Sequence, residues 1–310
     1  MHSVSVIIPS FKSEAWVVRA VKSLMGNESL NVEIIVVEDG AFDQTRKALN
    51  PFGGNVKLYT LPENRGAPYA RNFGLSKASN DCILFLDADD YITEGYLFNA
   101  VYELANSESD MCLCPWQKCS KEYEGAIHYP DNINPTSIMK KWMTLNQFIP
   151  SCGILWNRRL LEKIGAWDET LKKNQDMDIA FRAFLAKPEI TLSKAGSAVY
   201  WQHDSENRIS DAAPSNFVDS MNAIYKKLNV KMVNELGSEV VGEWCYRYAK
   251  IFYSLNRFDD GKVWLSRARY FGFKKHSGNN LSRILAFFLG LRRSQALIQY
   301  IKSFGFPKSS

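Results

Sequence analysis

The feature that most constrains the fold is a regular alternation of short apolar runs and helix-like segments over the first 90 residues. The apolar runs are rich in Val and Ile and do not alternate with polar residues, which is typical of strands buried on both faces. This order predicts an α/β protein with a parallel sheet covered by helices on both sides. The predicted strands are Val4–Ile8, Glu33–Val37, Val56–Leu61 and Asp81–Leu86, and the predicted helices are Glu14–Met25, Asp43–Leu49 and Ala67–Ala78.

Three polar segments follow predicted strands: Pro9-Ser10-Phe11, Glu38-Asp39-Gly40 and Asp87-Ala88-Asp89-Asp90. Ligands of open parallel sheets bind beyond the carboxyl ends of the strands, so we expect these segments at one binding edge. Asp87 and Asp89 are two residues apart and therefore share a face of the extended chain. Carboxylates of this kind suit Mg²⁺ or Mn²⁺, and the alternative is a solvated acidic turn.

No Gly-rich dinucleotide or P-loop motif occurs in the sequence. If a nucleoside diphosphate binds at this edge, a metal ion and basic side chains must therefore neutralise the charge of its diphosphate group. Arg65 and Arg71 lie between the third and fourth predicted strands and could reach the same edge. The alternative is that both are ordinary surface arginines.

The charge is divided unevenly along the chain. Residues 261–310 hold ten Lys and Arg and no Asp or Glu, which leaves 28 basic and 33 acidic residues in 1–260. This division argues against a uniformly basic nucleic-acid binder. Residues 281–304 read as a basic amphipathic helix, with Gly290 as a point of interruption. It would either dock on an anionic membrane surface or pack on the body with its basic face in solvent.

The sequence predicts a cytoplasmic protein. It lacks a secretory signal, because the apolar stretch from Val4 stops at Pro9, and no run approaches the roughly 18–20 apolar residues of a membrane span. Peripheral attachment to the inner face of the cell membrane would follow if the basic helix docks there. Cys112, Cys114 and Cys119 lack the paired spacing of a zinc site, which favours buried free thiols.

Several motifs together resemble glycosyltransferase family 2 in both order and spacing. The resemblance spans about residues 3–210 and implies a GT-A type three-layer sandwich with a mostly parallel central sheet, followed by a helical C-terminal region. It implies a catalytic domain over 1–210, with nucleotide-sugar binding in 1–110 and the acceptor side and base in 111–210, and a helical region with a basic tail over 211–310. The motifs are Ser5-Val6-Ile7-Ile8-Pro9-Ser10-Phe11, Glu38-Asp39-Gly40, residues 63–74, Phe85-Leu86-Asp87-Ala88-Asp89-Asp90, residues 160–169 and Asn174-Gln175-Asp176-Met177-Asp178.

The resemblance also implies site roles. Asp176 matches the catalytic base, and Asp89 with His203 would bind Mn²⁺ or Mg²⁺; a loop histidine is the alternative for His203. The donor, usually a uridine nucleotide sugar, would be bound by Pro9, Ser10, Phe11, Asp39, Arg71, Asp87 and Ala88. The acceptor would be a saccharide or a lipid-linked saccharide in bacterial cell-surface polysaccharide assembly, and no nucleic-acid partner is expected.

The sequence departs from the family pattern beside the base. Gln175 stands where the family often has Glu, so a negative charge that would raise the pKa of Asp176 is missing. Asp178 is a rival for the role of base, and its alternative is a helix-surface ion pair with Arg182 at i, i+4. The Gln-x-x-Arg-Trp signature of processive synthases is absent, which favours the addition of one sugar per encounter.

Three classes of function remain in competition. The leading hypothesis is an inverting, metal-dependent glycosyltransferase. The second is a catalytically silent scaffold of the same fold that binds nucleotide or sugar, against which the joint presence of Asp39, Asp89 and Asp176 speaks. The third is a nucleotidyltransferase, which would need a Gly-rich phosphate loop after the first strand. Trp116, Trp142, Trp156 and Trp167 could stack on an acceptor sugar, although aromatic residues are more often core.

Overall fold

The structure is a computed structural model that describes residues 2–27, 29–40, 44–203, 214–275, 286 and 289–298. The chain divides into two compact units. The first comprises Met1–Ile138 and Phe148–Ala213, and the second comprises Met139–Gln147 and Pro214–Ser310.

The described part of the first unit holds ten strands in two sheets. The larger sheet has the order β3-β2-β1-β4-β8-β6-β9, and the smaller has the order β5-β10-β7. The strands are β1 (His2–Ser10), β2 (Leu30–Asp39), β3 (Val56–Leu61), β4 (Cys82–Phe85), β5 (Tyr91–Ile92), β6 (Met111–Leu113), β7 (Trp116–Ser120), β8 (Ile154–Asn157), β9 (Ile190–Leu192) and β10 (Ala198–Gln202).

Helices connect these strands in the first unit and build most of the second. Short 3₁₀ segments cover Asn50–Asn55 and Ser151–Gly153. The helices are α1 (Val17–Leu24), α2 (Thr45–Leu49), α3 (Ala67–Lys77), α4 (Tyr96–Asn106), α5 (Pro135–Leu145), α6 (Arg158–Ile164), α7 (Gln175–Leu185), α8 (Pro214–Leu236), α9 (Ser238–Ser254) and α10 (Phe258–Tyr270).

The sheet is parallel where the apolar runs are continuous. β1 pairs in parallel with β2 and with β4, and β2 pairs in parallel with β3. Among the described strands of the larger sheet, only β8 runs antiparallel to its neighbours, β4 and β6. The predicted α/β class with a mostly parallel central sheet is confirmed. The hydrophobic core beside this sheet includes the buried face of α1. Its members from α1, which belong to the same apolar cluster as residues of β1 and β2, are Val17, Ala20, Val21 and Leu24.

The register brings the strand ends together. Ser10 at the end of β1 pairs with Glu38 near the end of β2, and Asp39 pairs with Leu61 at the end of β3. The segment after β4 begins beside the same end of β1, because Leu86 N–H donates to the Ile7 carbonyl. The polar segments that follow these strands therefore meet at one edge of the sheet.

Some element bounds differ from the predicted ones. β1 and β2 are longer than the apolar runs Val4–Ile8 and Glu33–Val37, because pairing continues through polar residues as far as Ser10 and Asp39. The helix predicted from Glu14 begins at Val17, since residues 13–16 form a turn with Trp16 N–H bonded to the Ser13 carbonyl. The sequence reasoning did not predict the smaller sheet, whose central strand β10 pairs with β5 and β7 across long sequence separations.

The second unit has an aromatic core. Trp264 on α10 is fully buried and lies 5.4 Å, between ring centroids, from both Trp244 and Tyr248 on α9. Tyr225 on α8 packs edge-on against Trp264 at 5.5 Å. The end of α5 belongs to this unit, and Arg247 of α9 donates a hydrogen bond to the Met143 carbonyl.

The basic helix predicted over residues 281–304 is described only at residues 286 and 289–298, which are helical; the rest of it lies outside the described residues. Gly290 has a φ of 73°, which fits an interruption at this point of the predicted helix. Leu291 and Ser294 are buried, whereas Arg292 and Arg293 are exposed. One face is therefore packed, and membrane docking through the other face stays a prediction.

Within the described residues, no helix is both long enough and apolar enough to cross a bilayer.

Candidate active site

A cavity of about 350 Å³ lies at the edge where the parallel strands end. Nine of the ten predicted site residues line it, and Asp176 is the tenth. The nine come from the ends of β1 and β2, from α3, from the segment after β4 and from the end of β10. Seven further residues of the described chain line the cavity: Lys12, Ser13, Trp16, Asn64, Gly66, Ala67 and Tyr200.

The acidic group after β4 has the geometry of a cation site. One carboxylate oxygen each from Asp87, Asp89 and Asp90 lie within 4.8 Å of one another. Burial raises the pKa of Asp89, and the neighbouring Asp87 raises it further. Such mutual repulsion is relieved when a divalent cation with oxygen ligands binds between the carboxylates. The donor set therefore fits Mg²⁺ or Mn²⁺.

Asp90 was not among the predicted site residues. Its side chain is buried, and its Oδ1 accepts a hydrogen bond of 2.8 Å from the Trp201 backbone N–H. Burial raises its pKa well above the ordinary value, and Asp89 and Asp87 raise it further. Its position in the Asp-Asp pair of residues 89 and 90 was the only sequence signal available.

The smaller sheet brings His203 to this group. His203 follows β10, and its Nε2 lies 3.0 Å from Oδ2 of Asp89. The imidazole is stacked on the Trp16 ring, with centroids 4.6 Å apart. An imidazole nitrogen and a carboxylate oxygen this close together could both be ligands of one Mn²⁺ ion.

Asp39 organises the loop between β3 and α3. Its Oδ1 and Oδ2 accept hydrogen bonds of 2.8 Å from the backbone N–H groups of Arg65 and Gly66. The next residue, Gly40, has a φ of 71°, and a Cβ there would lie 2.2 Å from the Glu63 carbonyl carbon. Only glycine fits this close approach, which lies next to the cavity-lining residues Asp39 and Asn64. The Arg65 side chain is directed to the Tyr69 ring, 3.8 Å from its centroid.

Arg71 connects the carboxylate group to α7. It is 2% exposed, donates 2.6 Å to Oδ1 of Asp87 and 3.2 Å to Oε1 of Gln175, and lies over the Trp167 ring. Burial alone would lower its pKa, but the carboxylates of Asp87 and Asp176 raise it overall. The guanidinium is a buried positive charge between the predicted donor and acceptor sides, and not a surface arginine.

Asp176 lies in the first turn of α7. The preceding Asn174 has a φ of 55°, an uncommon conformation for a residue other than glycine. Oδ1 of Asp176 is inaccessible to water and has no hydrogen-bond partner among the described residues. Burial raises the pKa of Asp176 to about 6, Arg71 opposes the rise, and Asp87 adds to it. A carboxylate of this kind is suited to accept a proton near neutral pH.

Asp178, the rival candidate for the base, forms a buried ion pair. Its side chain is 1% exposed and its Oδ2 accepts 2.7 Å from Nη2 of Arg182. The predicted i, i+4 pair is present, but it is buried and does not lie on the helix surface. The reason is that Arg182 also donates to the Ile164 carbonyl at the end of α6.

The four tryptophans weighed as acceptor platforms are core residues. Trp116, Trp142, Trp156 and Trp167 are 8%, 4%, 1% and 3% exposed. Two residues that the sequence reasoning missed, Lys12 and Trp16, line the cavity instead. Lys12 is exposed and has a φ of 50°. Its position in the loop after β1 puts a positively charged side chain at the cavity. A charged residue directly after Pro9-Ser10-Phe11 was the available signal.

Comparison with known proteins gives one family. The model of the family described as "Glycosyl transferase family 2" matches residues 5–165. An uncharacterized glycosyltransferase of Haemophilus influenzae is 35% identical over 100 residues, which are 31% of this chain and 40% of that protein. Poly(ribitol-phosphate) beta-N-acetylglucosaminyltransferase TarS of Staphylococcus aureus is 32% identical over 257 residues, which are 80% of this chain and 44% of TarS. The chain thus spans less than half the length of these two relatives.

The fold is also that of a solved structure. The crystal structure of S. aureus TarS residues 1–349 in complex with UDP-GlcNAc superposes with a TM-score of 0.68 at 19% identity. The match covers 99% of this chain and 93% of that one. The likeness confirms the GT-A type fold with a helical C-terminal region.

Proposed function

This chain belongs to glycosyltransferase family 2, and from that premise we propose that it is an inverting, metal-dependent transferase. It moves one sugar from a nucleotide sugar, a UDP-sugar, to a hydroxyl of a saccharide or lipid-linked saccharide in bacterial cell-surface polysaccharide assembly. The observation that carries the proposal is the cavity at the strand ends, where a carboxylate group, His203 and the predicted donor residues come together.

The donor side is built by the ends of β1 and β2. Pro9, Ser10 and Phe11 line the cavity beside Asp39, and we assign this region to the nucleoside. Asp39 keeps its loop in place through two N–H bonds, so it shapes the pocket as well as lining it. The complex of TarS with UDP-GlcNAc supports a uridine donor.

Asp89 and His203 would hold the cation, and Asp87 and Ala88 would face the donor next to them. When bound, the cation neutralises the charge that grows on the departing nucleoside diphosphate. Arg71 fixes the orientation of Asp87 through the 2.6 Å ion pair. Asp90 holds the Trp201 backbone, and with it the end of β10, against the carboxylate group.

Asp176 takes the proton of the acceptor hydroxyl as its oxygen attacks the anomeric carbon. Attack opposite the leaving group inverts the configuration at that carbon, as in a single-displacement glycosidase. Arg71 keeps the pKa of Asp176 lower than burial alone would, so that the base is ionised at neutral pH. Asp178 is engaged with Arg182 and is not the base.

The test is release of UDP from a panel of UDP-sugars with Mn²⁺ and a saccharide acceptor, followed for wild type and Asp176→Ala. We expect a loss of about 10²–10⁴-fold in the variant, which is the range for removal of a general base. Asp81→Ala is the matched control, because Asp81 precedes β4 at the opposite end from the site and its side chain is 87% exposed. Equal rates in wild type and Asp176→Ala would favour the silent scaffold.

A further inference from the structure

Arg19 on α1 lies among aromatic rings from three chain segments. Its guanidinium carbon is 4.3 Å from the ring centroid of Trp201, 4.4 Å from that of Tyr91 and 5.4 Å from that of Trp16. A cation over several ring faces is attracted by their quadrupoles, and the attraction strengthens when water is excluded. Arg19 therefore ties α1 to β5 and to the end of β10.

The same guanidinium binds the backbone of the carboxylate group. Nη2 of Arg19 donates a 2.6 Å hydrogen bond to the Asp89 carbonyl. A charge-assisted bond of this length fixes the peptide unit that carries the Asp89 side chain. Asp89 also lines the cavity, and its carboxylate contacts His203 there.

A second path leads from Arg19 to His203. Trp16, which Arg19 contacts, is stacked on the imidazole with an interplanar angle of 20°. The imidazole in turn lies 3.0 Å from Oδ2 of Asp89. The contacts form a closed ring: Arg19, Trp16, His203, the Asp89 carboxylate and the Asp89 carbonyl.

We propose that Arg19 is a positioning residue that holds Asp89 and His203 in the arrangement in which they bind a divalent cation. This inference rests on the proposed metal-dependent transfer. Arg19 has no lone pair to offer a cation, and its charge repels one, so its contribution is to orient the two ligands. Removal of a residue that contacts the ligands of a metal ion, but not the ion itself, typically lowers the affinity for the metal by about 10–100-fold.

The experiment measures Mn²⁺ binding directly, by the electron paramagnetic resonance signal of free Mn²⁺ in the presence of UDP. Arg19→Met keeps an unbranched apolar chain among the rings but removes the charge and the donor. We expect its dissociation constant for Mn²⁺ to rise about tenfold or more. Lys22→Met is the control, since Lys22 is exposed on the same helix and its loss removes the same charge. All titrations are run below the melting temperature of every variant.

A second variant keeps the inference testable if Arg19→Met fails to fold. Trp16→Leu removes the ring stacked on His203 while Arg19 remains, and we expect weaker Mn²⁺ binding here too. A Mn²⁺ affinity equal to wild type in Arg19→Met, or in Trp16→Leu where Arg19→Met does not fold, would overturn the positioning role alone. No Mn²⁺ binding by the wild type would instead contradict the metal-dependent transfer itself.

Discussion

At the scale of single residues, the most consequential group is the buried carboxyl of Asp176. It has a pKa raised to about 6 by burial and stands beside the positive charge of Arg71. In the proposed mechanism Asp176 is the base, which must be unprotonated to act, so its protonation would set the lower pH limit of the reaction.

The rate of transfer should therefore fall as the pH drops through about 6. We predict that kcat/KM rises with pH with a midpoint near 6 and then levels off. Gln175→Glu places a negative charge against Arg71 and weakens its effect on Asp176, so the midpoint should move up by about one unit. Rate profiles from pH 5 to 8 check this, and a midpoint unchanged by Gln175→Glu would contradict the role given to Arg71.

The same group should reduce stability at neutral pH. The pKa of Asp176 in the folded state is about 6, above its ordinary value of 3.8, so the folded state binds the proton more tightly than the unfolded state does. Folding stability is then highest below about pH 4 with respect to this group and is lost as the pH rises through 6. Asp176→Asn should raise the free energy of unfolding at pH 7.5 by up to about 3 kcal/mol. Urea unfolding at pH 4 and 7.5 measures the difference, which should nearly vanish at pH 4.

At the scale of elements, the sheet edge depends on the turn after β2. We predict that Gly40→Ala lowers the free energy of unfolding by more than about 2 kcal/mol, because the new Cβ collides with the backbone of residues 63–64. Gly26→Ala is the matched control: Gly26 has a similar φ of 79° but open space around it, so only the conformational cost of about 1 kcal/mol remains. Equal losses in the two variants would show that the close approach is unimportant.

Sequence reasoning reached the parallel half of the sheet well and the rest poorly. Continuous Val- and Ile-rich runs identified β1–β4, and Val56–Leu61 was right at both ends. The smaller sheet was missed because β5 has two residues and pairs with β10 more than one hundred residues later. Local periodicity carries no information about pairing between strands so far apart in the sequence. This pairing nevertheless positions β10 and, after it, His203 beside Asp89.

The site shows the same division. The cavity lining predicted from residues 9–11, 39, 71 and 87–89 could be read from motifs beside the strand ends. Asp90, Trp16 and Arg19 could not, since their roles depend on contacts between α1, the segment after β4 and the end of β10. The partners of Arg71 and Asp178 could not be predicted from the sequence either, because both side chains are buried by packing between separate helices.

At the scale of the whole molecule, the charge division belongs to distinct parts of the chain. The acidic carboxylate group lies in the first unit, and the ten basic residues of 261–310 lie in the second. We predict that this chain of 310 residues floats with vesicles rich in anionic phospholipid. Arg292→Glu with Arg293→Glu should weaken that binding about tenfold or more, since each basic residue near the headgroups contributes about 1 kcal/mol. Flotation equal to wild type would leave the packed basic helix as the correct alternative.

The most direct measurement is calorimetric titration of UDP into the protein, with Mn²⁺ and with EDTA. It tests whether the strand ends form a cation-dependent nucleotide site. We predict that UDP binds in Mn²⁺ and binds weakly or not at all in EDTA. Asp89→Asn should lose the Mn²⁺ effect, whereas Asp259→Asn, a change at an exposed carboxylate of the second unit, should keep it. Equal UDP affinity in Mn²⁺ and EDTA, or no binding in either, would contradict the assignment.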